Sequence, residues 1–211
     1  MPDATYASVS DQLKDDSTLV RKHGTAILAI ADYSAEAPTS FFDTATGLPL
    51  LLPDGYKNMG YVSTKGFVAK KDVKSDDTTM LQDLDPVRTD LSSSSRTLDA
   101  EFGEMSAWVK SLIAGLPVSQ WPTENGGSWK ITDSGTSETP YYRLLLLTQD
   151  GVGDQAFYRV EFAYRVKITD YSDRTMDRAD AEIEAVTFTT YKDPKLSSKS
   201  YYQESSPAVA A

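Results

Sequence analysis

Apolar and polar positions alternate with a period of two along much of the chain, a pattern that predicts half-buried β-strands. The segment AFYRVEFAYRVKITDY shows this alternation most clearly. We expect it to form a long strand with one apolar and one polar face. The apolar positions are Val160, Phe162, Tyr164, Val166 and Ile168, and the polar positions are Arg159, Glu161, Arg165 and Lys167.

Shorter apolar runs bounded by turn-forming residues predict further strands. The first is TAILAIADYS, whose continuous run Ile27, Leu28 and Ile30 is typical of a strand buried on both faces. Three more are predicted downstream, in WKITDS, YYRLLLLTQD and AEIEAVTFTTYKD.

Two longer and more polar strands are predicted in GYVSTKGFVAKKDVKSDDTTML and PVRTDLSSSSRTLDAEF. They flank a turn near Leu84, Asp85 and Pro86, so we expect one long hairpin. The serines at positions 92–95 offer nothing to a core. That part of the hairpin is therefore expected to face water on both sides or to lie at a subunit boundary.

One helix interrupts the strands. Its apolar residues recur at i, i+3, i+4, i+7 and i+11, which places them on one side of a helix. Gly115 and Pro117 are expected to end it. The stripe consists of Met105, Trp108, Val109, Leu112 and Leu116.

The remaining segments are irregular. We expect residues 1–24 to form a polar arm, residues 25–195 the folded domain, and residues 196–211 a tail without a core of its own. Within the domain, residues 35–58 hold three prolines and two glycines, which predicts a long loop with a short strand at residues 50–52. The order of elements predicts a mainly β-sandwich or barrel with one flanking α-helix.

The net charge of the chain argues against one class of function, the binding of nucleic acid. With 31 acidic and 21 basic residues, the formal charge is -10, which disfavours a surface that grips nucleic-acid phosphates. DNA stays possible as a passenger, because a like-charged wall repels it. Without cysteine, thiol chemistry and disulfides are excluded. No leader is recognised and the apolar run at residues 144–147 is short, so we expect synthesis in the cytoplasm and no membrane insertion.

Catalytic and cofactor signatures are missing from the sequence: GxxxxGK[ST], GxGxxG, GxSxG and HExxH do not occur. The single histidine, His23, lies in the polar arm, where we expect a solvent or interface role. We expect no enzyme activity, cofactor or metal. Two acidic clusters, in QDGVGDQ and DYSDRTMDRAD, are interpreted as turns because neither has the spacing of a calcium loop.

Two other groups admit a binding role. Trp121 and Trp129 are interpreted as loop anchors, with a sugar-stacking platform as the alternative. Paired carboxylates for glycoside hydrolysis are neither favoured nor excluded, because their spacing is set in three dimensions. The lysines of the hairpin alternate with aspartates, which favours a solvated face or ion pairs over a nucleic-acid groove. They are Lys65, Lys70, Lys71 and Lys74.

The order of features resembles a known family. The run from GYVSTKGF to SLIAGLP is similar to the centre of the major tail proteins of long-tailed, non-contractile bacteriophages, particularly those of actinobacterial hosts. The likeness lies in the long hairpin, the R-T-D polar strand, Glu101 closing it, and one amphipathic helix. The run FYRVEFAYRVKITDYSDRTMDRADAEIEAVTFTTYKD is similar to the second long hairpin of that family. The resemblance extends over roughly residues 20–195.

That resemblance implies a tail-tube protein of the virion, with subunits that form sixfold rings stacked into a conduit for genome ejection. Its partners would be further copies of itself, a tape measure protein, tail terminator or tip proteins, and double-stranded DNA as a transient passenger. The loop 35–58 and the arm suit ring-to-ring contact. The candidate lumen or inter-subunit faces are Thr89, Ser93 and Ser95, and Arg159, Glu161, Arg165 and Lys167.

Two alternatives stay open. The tube protein of a contractile injection or secretion device would share the fold. A β-sandwich module could instead bind carbohydrate or protein through the Trp121 and Trp129 loops.

Overall fold

The computed structural model describes residues 13, 15–132, 135, 139–153 and 156–206. In these residues the secondary structure is mainly β, with one α-helix and two short 3-10 helices, Ser17–Leu19 and Val118–Gln120. The α-helix is α1 (Ala107–Ile113). The strands are β1 (Thr25–Asp32), β2 (Lys57–Asn58), β3 (Val62–Met80), β4 (Asp83–Phe102), β5 (Tyr142–Asp150), β6 (Phe157–Tyr171), β7 (Glu184–Thr190) and β8 (Tyr201–Ser205).

The strands form one antiparallel sheet in the order β2-β1-β5-β6-β7-β4-β3, with β8 paired to β6. Strands distant in this order share one core, because Leu28 of β1, Leu144 of β5 and Leu98 of β4 pack into the same buried cluster. The sheet therefore folds over itself. We call this cluster the sandwich core. The predicted fold class, a β-sandwich with one flanking helix, is confirmed.

A second core lies on the opposite face of the sheet, beneath the predicted long loop. Phe41, Phe42 and Tyr56 of that loop are buried together with Phe162 of β6. The Tyr56 hydroxyl donates to the carbonyl of Glu36 at 3.1 Å, which closes the loop on itself. We call this cluster the loop-side core. The loop is thus a covering layer of the domain.

The strand predicted at residues 50–52 is wrong. The chain makes only an isolated antiparallel bridge nearby, between Phe42 and Pro49, and the regular strand β2 comes later, at Lys57–Asn58. Prolines at positions 49 and 53 flank the predicted segment, and proline has no N–H to donate to a strand partner.

The helix is confirmed, although it is shorter than its apolar stripe. Ser106 caps the N-terminus, with its hydroxyl accepting from the Val109 N–H at 3.3 Å. Val109 and Leu112 are fully buried in the sandwich core, as predicted. Met105 lies before the helix, and Trp108 is partly exposed, with its Nε1 donating to the carbonyl of Pro122 at 2.8 Å.

The other predicted strands fare differently. Those at β1, β5, β6 and β7 are confirmed. The strand in WKITDS is wrong for residues 129–132, which have no regular structure, and Asp133 and Ser134 lie outside the described residues. β8 was not expected, because residues 201–205 belong to the predicted tail; they pair with β6 instead. The hairpin turn lies at residues 81–82, earlier than predicted.

A bulge in β6 changes which of its side chains share a face. Tyr142 lies opposite Val166, but Leu144 lies opposite Ala163, so β6 holds one more residue than β5 over this stretch. On the N-terminal side of the bulge, Val160, Phe162 and Tyr164 pack in the loop-side core. On its C-terminal side, Val166 and Ile168 pack in the sandwich core.

The single polar face predicted for β6 is therefore wrong. Arg159 and Glu161 line a groove beside the sandwich core. Arg165 and Lys167 instead lie over the ring of Tyr141. Whether any of these four residues contacts another subunit stays a prediction.

Candidate inter-subunit surface

The hairpin of β3 and β4 extends beyond the sheet. β4 pairs with β7 only through residues 97–102, whereas its pairing with β3 continues to Asp83. Residues 83–96 of β4 therefore have a strand partner on one side only, over roughly 45 Å at 3.3 Å per residue. β3 is the last strand in the sheet order, so its outer edge also has no strand partner within the described chain.

A bulge divides this hairpin as well. Lys74 lies opposite Ser93, while the next residue, Ser75, lies opposite Leu91. One extra residue in β4 thus moves the following side chains to the other face. Thr89 consequently lies on the opposite face from Ser93 and Ser95, and the predicted common face of these three residues is wrong.

One face of the extended hairpin carries exposed aliphatic side chains. By strand alternation, Val73, Val87 and Leu91 share the face that leads to Phe67 and the sandwich core. Val73 is 50% exposed, Val87 48% and Leu91 76%. No described segment of the same chain covers these residues. We call them the aliphatic face.

The other face is charged. Arg88 pairs with Asp90 at 2.6 Å, and Lys70 pairs with Asp72 at 3.2 Å. These ion pairs agree with the prediction of mixed charges on a solvated hairpin. Lys65 also behaves in this way, because its Nζ lies 2.8 Å from Glu101 at the hairpin base. The same alternation places Lys71 and Asp77 on the aliphatic face and Val68, which is 53% exposed, on the charged face. Both faces are therefore mixed, and Val73, Val87 and Leu91 are the exposed apolar group of the first.

Two open clefts separate the hairpin stem from the rest of the domain. The first, of about 590 Å³, lies between β4 and β8. Its wall includes the Arg96 guanidinium, which is 4.0 Å from the centre of the Tyr201 ring. The second, of about 420 Å³, is lined by Phe67, Leu146 and His23, among others. His23 is exposed at the edge of this cleft.

Glu161 lies between these clefts, and both of its carboxylate oxygens have partners. It accepts hydrogen bonds from the Tyr201 hydroxyl and from Gln203 Nε2, and it forms an ion pair with Arg159. Burial, followed by the hydrogen bond to Glu161, raises the pKa of Tyr201. The arrangement therefore holds β8 against β6.

The acidic residues of the two clusters have different roles: Asp150 and Asp170 lie in β5 and β6, and Asp177 holds a turn. Asp177 accepts from the backbone N–H groups of Ala179 and Asp180, both at 2.8 Å. These bonds hold the pKa of Asp177 below its usual range. Asp154 lies outside the described residues. Among the residues that are described, no group of three or more His, Asp or Glu side chains is placed to hold a metal ion.

The tryptophans do not form a common platform. Trp121 is buried in the sandwich core and its Nε1 donates to the carbonyl of Leu116 at 2.8 Å, which confirms it as an anchor. Trp129 is 45% exposed. A stacking surface that uses both rings is thus ruled out.

Within the described part of the chain, no helix is both long and apolar enough to cross a membrane.

One buried polar site was missed by the sequence analysis. Arg143 of β5 donates to the carbonyl oxygens of Ala35 and Tyr164 at 2.7 and 2.8 Å, and to Asp193 at 3.2 Å. Asp193 is fully buried and also accepts from the Tyr33 hydroxyl at 2.7 Å. An arginine inside the apolar run YYRLLLL was the available signal, because a buried guanidinium requires a partner.

Comparison with known proteins does not identify a family for this chain. No family model matches the chain, and no curated protein matches it. One similar solved structure is described as the cryo-EM structure of the anti-feeding prophage baseplate, 6-fold symmetrised. The alignment covers 92% of this chain and 100% of that chain, with 9% sequence identity and a TM-score of 0.43. This similarity is too low to establish a shared fold.

Proposed function

We propose that this chain is the tail-tube subunit of a long-tailed, non-contractile phage, which polymerises as stacked sixfold rings around a DNA conduit. The observation that carries the proposal is the extended β3–β4 hairpin, whose residues 83–96 have a strand partner on one side only. An unpaired strand edge is a template for pairing with another chain, and a head-to-tail contact between identical copies forms a ring when the rotation between neighbours closes.

The aliphatic face supports the same proposal. Val73, Val87 and Leu91 are exposed on a hairpin that reaches beyond its own core. A neighbouring copy would remove them from water, and burial of apolar area contributes about 25 cal/mol per Å². The charged face would stay in water, either at the lumen or at the outer wall.

The charge of the chain suits a conduit. A formal charge of -10 on each copy, repeated around a ring, repels phosphates and keeps passing DNA from adhering. The proposal includes a location in the virion and partnership with tape measure and terminator proteins. It also includes the expectation that the chain has no enzyme activity. Ring-to-ring contact is assigned to the exposed part of the long loop, where Leu51 is 94% exposed.

The test is electron microscopy of the purified chain at high concentration. We expect hollow tubes or sixfold rings from the natural sequence. Val73→Lys combined with Leu91→Lys should leave monomers, because both charges would enter the proposed contact. Lys74→Gln, on the charged face, is the matched control and should assemble like the natural sequence.

Monodisperse monomers at every concentration would contradict the proposal. If those monomers also bound glycans, the binding-module alternative would replace it. Tubes that bind a contractile sheath protein would support the other alternative, the tube of a contractile injection device.

A further inference from the structure

Four cations lie near two tyrosine rings at one end of the sheet: the buried Arg143, 5.2 Å from the ring centre of Tyr33, and three others. The Arg165 guanidinium carbon lies 3.7 Å from the ring centre of Tyr141 and 5.4 Å from that of Tyr33. Lys167 Nζ lies 5.6 Å from the Tyr141 ring centre, and Lys195 Nζ lies 5.0 Å from the Tyr33 ring centre. All of these distances are within about 6 Å, the range of a cation–π contact. We call Arg165, Lys167 and Lys195 the cationic patch.

Asp193, the acidic residue that contacts Tyr33 and the backbone of Lys195, already has partners of its own. Asp193 pairs with Arg143, which is itself buried, and accepts from the Tyr33 hydroxyl and the backbone N–H of Lys195. One negative charge therefore balances Arg143 and leaves the cationic patch uncompensated. No described acidic residue forms an ion pair with any member of the patch.

Arg165 is also short of a hydrogen-bond acceptor. Its Nε is buried and has no partner in the described part of the chain. This Nε is inaccessible from outside the chain, so it is not the atom that a second copy would contact. Arg165 as a whole is only partly buried, which leaves its charge within reach of a partner. A carboxylate suits a guanidinium best, because the two groups can form paired charge-assisted hydrogen bonds.

We propose that the cationic patch binds the acidic end of the hairpin, residues 76–90, of a second copy of this chain. This inference rests on the proposed function, and it names one contact of the assembly. The acidic end holds five aspartates and one arginine, which is a net charge of -4. It lies beyond the body of its own copy and is exposed along its described length.

The other acidic segment of the chain fits less well. Residues 170–180 hold four aspartates and two arginines, a net charge of -2. Carboxylates of both segments have partners within the chain: Asp170 and Asp177 accept backbone N–H groups, and in the hairpin end Asp77 accepts from Thr89, Asp83 accepts from the Asp85 N–H, and Asp90 pairs with Arg88. The larger net charge of the hairpin end and its position beyond the body therefore decide between the two segments. Nucleic acid is a weaker partner than either segment, because the whole chain is acidic and repels phosphates.

Charge reversal with rescue tests the contact. The patch variant is Arg165→Glu with Lys167→Glu, and the hairpin variant is Asp76→Lys with Asp85→Lys. Each alone should weaken self-association by roughly tenfold or more, measured by sedimentation velocity at low salt. The two variants combined in one chain should restore it, because the charges are again opposite.

A matched combination identifies the segment. Asp173→Lys with Asp180→Lys reverses the other acidic segment, and adding it to the patch variant should restore nothing. Because Arg165 stacks on Tyr141, Lys167→Glu with Lys195→Glu serves as a second patch variant that leaves this stacking intact. Thermal unfolding of each variant shows whether the fold is kept.

The outcomes separate this inference from the proposed function. If the natural chain forms rings and the patch variants form them equally well, the patch contact is wrong and the tube proposal stands. If the natural chain does not self-associate at any concentration, the tube proposal fails. Rescue by the 170–180 variant, or binding of a short DNA duplex that depends on the patch, would overturn the assignment to the hairpin.

Discussion

The polar groups of the Arg143–Asp193 site have hydrogen-bond partners within the chain, whereas those along one edge of the β3–β4 hairpin lack a neighbouring strand in the described chain. Arg143 is buried, and its donors meet two carbonyl oxygens and a carboxylate of the same chain. Residues 83–96 of the hairpin have a strand partner on one side and water on the other. The polar groups of the buried site are thus satisfied within the chain, whereas one edge of the hairpin has no strand partner within the described chain. Folding should depend on the first region and assembly on the second.

The largest effect is expected from Arg143→Ala. Removing one member of a buried, hydrogen-bonded ion pair leaves an unpaired charge and should lower the free energy of unfolding by about 3–5 kcal/mol. Chemical denaturation measures this loss. Arg88→Ala is the matched control, because Arg88 forms an exposed ion pair on the hairpin and should change stability by less than about 1 kcal/mol.

Equal effects of these two arginine substitutions would contradict the comparison. They would mean that the hairpin end contributes to folding as much as the buried pair does.

Acid should act on the same buried site. Burial opposes the charged form of Asp193, but hydrogen bonds from Tyr33, Lys195 and Arg143 outweigh it and hold its pKa below the usual range. The folded state therefore favours the ionised carboxylate. This stability is present above the ordinary aspartate pKa of about 4 and is lost as pH falls toward the lower folded value.

The measurement is the free energy of unfolding between about pH 6 and pH 3. Asp193→Asn should show a smaller decrease over this range than the natural chain, although it starts less stable. Some decrease should persist, because hydrogen bonds also lower the pKa of Asp43, Glu101 and Asp177. An unchanged slope in Asp193→Asn would show that its charge is not linked to folding.

Hydrophobic periodicity was sufficient to predict much of the fold. Strand β1 and the helix residues Val109 and Leu112 lie where their patterns place them, because local sequence and burial agree there. β8 was missed, since the sequence KSYYQES is polar and becomes a strand only through pairing with β6. Such pairing is a tertiary effect that no local pattern contains.

The candidate faces show a different limit. Alternation assigned Glu161 and Arg165 to one face, but a bulge places one extra residue between them. A bulge depends on the register of the partner strand, so periodicity within a single strand cannot reveal it. The same explanation applies to Thr89 and Ser93 on β4.

A moderate effect is expected at the helix cap. Ser106→Ala removes the hydroxyl that accepts from the Val109 N–H, and the free energy of unfolding should fall by about 1 kcal/mol. Ser106→Asp is the control, because aspartate also caps helices and should retain most of the stability. Thermal unfolding separates the two. A loss as large as that of Arg143→Ala would indicate that Ser106 has a role beyond capping.

The smallest effect on stability is expected on the aliphatic face of the hairpin. Leu91→Ser and Val87→Ser replace side chains that are about half exposed or more, so each should change the free energy of unfolding by no more than about 0.5 kcal/mol. Self-association should fall in the same proteins, because the removed groups would be buried only against another copy. Unfolding and sedimentation measured on one preparation test both statements. A stability loss above about 1 kcal/mol would place these residues in the folding core, and unchanged self-association would move the subunit contact to another surface.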